Sequence, residues 1–254
     1  MLSTVISGIL IVGGSVVAAL IGFVVVDRLV PASIRCKYND VNGFIYAAVG
    51  VIYAILLAYV VIVVWQQFDA TGSTIELEAV AAANIYHGVD QFPEPARSNV
   101  QHVVKEYVQT TIDEEWPDLA NGAMSPRADA LAHDLRTEIY QLPADTNHQQ
   151  VMFDHILGQY EQLITHRRLR IFQADEGVHP LLWAMLVAGA ALTVAFTDSF
   201  GVDSVIAHAL MVAGLALVIG GMLFMIQQVE RPFSGEVHVS SEPFEAVLVT
   251  FTDK

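Results

Sequence analysis

Four stretches of this chain run without a charged side chain for the thickness of a bilayer, and they fall in two pairs. Val5 to Val26 and Phe44 to Trp65 each hold 22 uncharged residues, Pro180 to Thr197 holds 18, and Val205 to Gln228 has His208 as its one ionisable residue. At ~1.5 Å of helical rise per residue, about 20 residues cover the ~30 Å hydrocarbon core. Backbone groups in hydrocarbon must satisfy one another within the segment, so runs of this length predict helices rather than strands. A secretory signal is the rival reading of the first run. No basic region precedes it, and Asp27-Arg28-Leu29-Val30-Pro31 is not a small-residue cleavage site, so it reads as a retained span.

Between the pairs the pattern changes. In 96–116, Val100, Val103, Val104, Tyr107, Val108, Thr111 and Ile112 recur at i, i+3, i+4 and i+7, one buried face of a helix. Ser73-Thr74-Ile75-Glu76 has the form of a capping box and predicts a helix opening there and running to about His87. Ser125-Pro126 predicts an N-cap with proline at the first helical position. A further helix is expected from about Thr146 through Ile156, Tyr160, Leu163 and Ile164. Breaks are expected at Gln91 to Pro95, at Trp116-Pro117 through Gly122, and at Leu142-Pro143. No alternating strand pattern occurs. The expected class is an all-α membrane protein: a first transmembrane pair in 1–65, a helical soluble domain in 66–178, a second pair in 179–228, and a C-terminal tail in 229–254.

Composition agrees. Hydrophobic residues make up 54% of 254 and the mean hydropathy is +0.49, more than a soluble surface tolerates. Residues 66–178 hold 18 acids and 7 bases, so they carry 7 − 18 = −11 of the net −15. Such a surface repels nucleic acid. The one cysteine, Cys36, excludes an intrachain disulfide and a cysteine-based metal site, and its expected role is a small apolar filler. Bases near the membrane number four on the domain side (Arg167, Arg168, Arg170, Arg231) and three on the other (Arg28, Arg35, Lys37), so charge does not orient the chain.

Chemistry is sparse. No phosphate loop, nucleophile elbow or zinc-protease helix occurs, and neither an enzyme, a cofactor nor a metal site is expected. His148 and His155, seven apart, lack a third ligand. Asp113-Glu114-Glu115 would suit a hard cation, but reads first as a solvated helix end. Arg167, Arg168 and Arg170 have two readings: pairing with lipid headgroups or the domain's own acids, or attracting anions at a vestibule. In the second span Ala47, Gly50, Ala54 and Ala58 form a stripe of small residues that permits close helix approach. Tyr46 and Tyr53 stand seven apart on a neighbouring face. If copies of this helix ring a pore, the candidate lining is Tyr46, Val49, Gly50, Tyr53, Leu57 and Val60, narrow enough to gate by dewetting. Asn39, Asp40 and Asn42 form a polar entrance.

Tyr38-Asn39-Asp40, Gly43-Phe44-Ile45-Tyr46-Ala47, Trp65, Glu115-Trp116-Pro117, Arg167-Arg168-x-Arg170, Leu182-Trp183 and Arg231-Pro232-Phe233-x-Gly235 together resemble a bacterial family of bestrophin-like membrane proteins (the DUF4239 family), over about residues 38–247. Arg231, Pro232, Phe233 and Gly235 are similar to the Asn/Asp-Pro-Phe-Gly stretch that follows the last span of bestrophins. Bestrophins are pentameric channels, mainly for anions, lined by the second span, with both termini cytosolic. The resemblance therefore implies a homo-oligomer, a pentamer by analogy, in the inner or plasma membrane. It places 66–178 in the cytoplasm and Asn39, Asp40 and Asn42 at the outer mouth. Glu236-Val237-His238-Val239-Ser240 departs from the acidic run of the calcium-gated members.

The leading expectation is an ion channel for chloride-like anions whose partners are membrane lipids, inorganic ions and further copies of itself. A −11 domain repeated around a ring concentrates cations instead, so a cation-permeable channel is the second reading. A non-conducting scaffold or sensor with an acidic, partner-binding domain is the third.

Overall fold

The computed structural model of the chain describes residues 6–251. Residues 1–5, including Val5 where the first span is expected to start, and 252–254 at the end of the tail lie outside the described part. Among the described residues every regular element is helical. Four helices are long and apolar enough to cross a membrane: α1 (Ile6–Leu29), the apolar part of α3 (Asn39–Gly88), α8 (Pro180–Asp198) and α9 (Val205–Val229). The short α2 (Ala32–Lys37) lies between the first two. The chain divides into two compact units, 1–66 with 177–230, and 67–176 with 231–254.

In the first unit the core is built where side chains are small. Ala19 and Phe23 of α1 bury against Val212 and Ala216 of α9. A Cβ on Gly220 would come 2.9 Å from Ser15 Oγ, so the glycine is what lets α1 and α9 approach. On α8, a Cβ at Gly189 would overlap the ring of Tyr53, whose side chain fills the space the glycine leaves.

The second unit is a helical bundle around one apolar core. Its remaining helices are α4 (Ala96–Thr110), α5 (Trp116–Ala120), α6 (Pro126–Tyr140), α7 (Asn147–Asp175) and α10 (Glu242–Thr250). As the spacing predicts, Val100, Val104, Tyr107 and Val108 form the buried face of α4. Ser125 Oγ caps α6 by accepting from Ala128 N at 3.3 Å. Thr146 and Gln149 close a reciprocal capping box on α7. Gly122, at φ +74°, ends α5 in a conformation that suits glycine.

Two expectations are overturned. The break expected from Trp116-Pro117 through Gly122 is confined to Asn121-Gly122, because Trp116–Ala120 continues the helix that precedes it. No helix starts at Ser73-Thr74-Ile75-Glu76, because α3 runs unbroken through it for 50 residues. Backbone N–H groups there already have helical partners. The neighbouring threonine hydroxyls are turned back on the same helix, Thr71 donating to Gln67 O and Thr74 to Ala70 O, both at 2.9 Å.

Candidate functional site

The second span has a packed face and an open one. Tyr53 and Val60 are 6% and 2% exposed, and Val64 is buried with them. Tyr46 is half-buried, its ring edge-on to Phe200 at 5.7 Å. Val49, Gly50 and Leu57 are also half-buried, at the border of that face. The expected lining therefore needs correction: Tyr53 and Val60 face the protomer's own helices, and Tyr53 is held against Gly189. On the opposite side Val51, Ile55 and Ile62, spaced by four and seven, stand exposed, Ile55 at 65%. Ala47, Ala54 and Ala58 flank them, exposed as well, and a Cβ on Gly50 would meet nothing within 4 Å.

The polar entrance is also rebuilt. Asn39 exchanges two hydrogen bonds with Gly201, donating to its carbonyl at 2.8 Å and accepting from its N–H at 2.9 Å, and Asn42 donates to Ser199 O. These two side chains thus tie the 38–42 segment to the loop after α8, and only Asp40 of the three stands free of it, exposed. Arg35, buried, donates to the carbonyls of Asp198 and Phe200 and pairs with Asp27. Cys36 is exposed rather than a buried filler.

Within the second unit lies a charge cluster that hydropathy does not reveal. Arg170 is fully buried. Its Nε donates to Glu78 Oε2 at 2.7 Å, and its Nη2 donates to Glu78 Oε1 at 3.0 Å and Glu115 Oε2 at 2.6 Å. One helical turn away, Arg167 donates to Glu115 Oε1 at 2.7 Å and to Asp129 at 2.9 Å. Tyr107 Oη donates to Glu78 at 2.6 Å. The Arg170 guanidinium also lies over Trp116 and Phe244, 5.5 and 5.8 Å from the ring centres. Burial opposes the Arg170 charge, but the Glu78 and Glu115 carboxylates outweigh it and hold the guanidinium well above its ordinary range. Burial, then the Glu78 charge, pushes the Tyr107 phenol well up from its usual value.

Glu115 reaches this cluster through a π-helical turn, Thr111–Glu115, inserted between α4 and α5. The extra residue rotates Glu115 inward, while Asp113 stays exposed and Glu114 pairs with Arg127 at 2.8 Å. The three acids, read first as a solvated helix end and second as a hard-cation motif, are therefore split between core and surface, and Glu115 departs from both readings. His148 and His155 are both exposed on α7. Arg167 and Arg170 are withdrawn from the vestibule role considered for them, because their charges are matched inside the unit. Arg168 alone of the three is exposed.

The stretch after the last span folds into the same unit. Phe233 is buried edge-on to Trp116 at 5.3 Å, Val239 N donates to Pro232 O, and Trp116 Nε1 donates to Val239 O at 3.2 Å. Gly235, at φ +89°, allows the turn between them. Arg231 is exposed.

The family model described as Bestrophin-like domain matches residues 13–244. The chain belongs to the Bestrophin-like family. Among solved structures, a point mutant of a bacterial bestrophin homolog from Klebsiella pneumoniae is similar over 95% of this chain and 99% of that one, with a TM-score of 0.69 at 9% identity. Two further structures, each described as a membrane protein with one residue changed to alanine, give TM-scores of 0.67 and 0.61 at 12% and 11% identity. Each covers 93% of this chain, and this bestrophin-like chain covers 94% and 95% of theirs. At such identities the likeness is one of fold. No curated protein matches the sequence.

Proposed function

We propose that this bestrophin-like chain is one subunit of a homo-oligomeric ion channel whose path is walled by the open face of α3, Val51, Ile55 and Ile62. The observation that carries the reading is the division of α3 into two faces. Tyr53, Val60 and Val64 satisfy the protomer, and an apolar face with small residues beside it remains for other copies and an axial path. Ala47, Ala54 and Ala58 permit neighbouring helices to approach, and a ring of Ile55 and Ile62 narrows the path to an apolar constriction that gates by dewetting. Five copies, a plasma or inner membrane location and a cytoplasmic soluble unit follow from the family resemblance. Asp40 then stands at the outer mouth and Arg168 at the inner one.

Anions are the first reading of the permeant ion, by that same resemblance. A specific observation favours the second, cations. The buried cluster is neutral, Arg167 and Arg170 against Glu78 and Glu115, so the whole −11 of residues 66–178 belongs to partly or fully exposed groups. A ring of such units raises the local cation concentration. The purified protein in a planar bilayer under asymmetric KCl decides the matter. Reversal near the chloride equilibrium potential supports the first reading and reversal near that of potassium the second. A silent bilayer containing assembled protein sinks both.

A further inference from the structure

Between α1, α8 and α9 the first unit encloses a slot of about 680 Å³, open along one side and walled by Ala18, Gly22, Ala191, Val194 and Ile219. Carboxylates stand at both ends. At one end Glu230 is satisfied, accepting from Val178 N at 3.3 Å and Trp183 Nε1 at 2.9 Å. At the other, Asp198 is 3% exposed and its Oδ1 has no partner. The nearby guanidinium does not supply one, although its own buried Nε is likewise without a partner. Arg35 gives its Nη2 to Asp27 and its Nη1 to the main-chain carbonyls of Asp198 and Phe200. His208 is committed to Thr197 O at 2.9 Å. Arg35 thus meets the carboxylate of Asp27 but only the main chain of Asp198, and a buried acid without a donor is costly.

We propose that the slot holds an acyl chain of a phospholipid with a primary-amine headgroup, whose ammonium donates to Asp198 Oδ1. Three features converge on this occupant. An apolar cavity of this kind excludes water. The helices that form it are long and apolar enough to cross a bilayer, so a hydrocarbon chain matches the slot in length and polarity. The unmatched acid stands at the last residue of α8, at the level where headgroups begin. An ammonium supplies both the missing donor and the missing charge. A trimethylammonium supplies only charge, and a phosphoglycerol headgroup brings a second anion.

The assembled protein, exchanged into mixed micelles of phosphatidylethanolamine, phosphatidylcholine and phosphatidylglycerol with identical chains, is analysed by native mass spectrometry. Phosphatidylethanolamine is retained about tenfold over phosphatidylcholine, the ratio expected for one charge-assisted hydrogen bond. Asp198→Asn brings the two to parity, and Ala191→Phe, which fills the slot, removes both. The wild-type ratio alone decides the matter if either variant fails to assemble. Equal retention of the two lipids by the wild-type protein, a preference for phosphatidylglycerol, no retained lipid, or a preference that survives Asp198→Asn overturns the proposal. Lipid retention without ionic current would leave this site standing and remove only the channel.

Discussion

At the scale of single residues, the buried ions of the second unit hold one another in place. Replacing buried ion pairs by apolar side chains is often neutral, whereas removing one member strands the rest. Arg170→Met leaves Arg167 as the remaining guanidinium of this cluster, and it reaches Glu115 but not Glu78. The substitution should cost about 3–5 kcal/mol, seen as a lower midpoint in chemical denaturation of the detergent-solubilised protein. Tyr107 adds a pH signature. Its phenol is raised in the fold and ionises near pH 10 when unfolded. The stability it contributes is therefore complete below about pH 10 and declines as pH rises from there towards the folded value. Tyr107→Phe should lower stability by about 2 kcal/mol near neutrality and flatten the decline above pH 10 in a denaturation series. Arg170, raised from an already high value, should add no pH dependence between about 6 and 9.

At the scale of elements, two glycines make opposite predictions. Gly189 is closed by the Tyr53 ring, so Gly189→Leu should prevent α8 from seating on α3 and yield aggregated or unassembled protein in size-exclusion chromatography. Gly50 meets nothing within the protomer, so Gly50→Leu should preserve the melting behaviour of the soluble unit while lowering the oligomer population, because its crowding falls on neighbouring copies. The same helix explains what was legible from sequence. Uncharged length alone marked the spans. It did not mark their faces, because α3 is apolar all round between Phe44 and Trp65 and periodicity has no contrast to report. Tyr53 and Tyr46, among the bulkiest residues there, therefore suggested a constriction, while packing against Gly189 and Phe200 had already claimed them. The charge cluster was hidden for another reason. Its partners are 92 and 55 residues apart for Arg170, and a π-helical turn redirects Glu115 in a way no helical wheel anticipates. The one cue was arginines three apart on a helix whose neighbours are rich in acids.

At the scale of the whole molecule, charge is sorted by depth. The seven bases and 18 acids of residues 66–178 look like one diffuse acidic field in the sequence. In the fold, two of each are sequestered at hydrogen-bonding distance and the rest stand partly or fully exposed. Ionic strength acts differently on the two populations. A screening length of about 10 Å at 0.1 M shrinks to about 3 Å at 1 M, which erases long-range fields and leaves contacts of about 3 Å inside protein nearly untouched. Raising KCl across that range should weaken any cation preference measured in bilayers while the denaturation penalty of Arg170→Met stays the same. Dissolved salt thereby becomes a tool that dims the electrostatics an ion meets and spares those that keep the subunit folded.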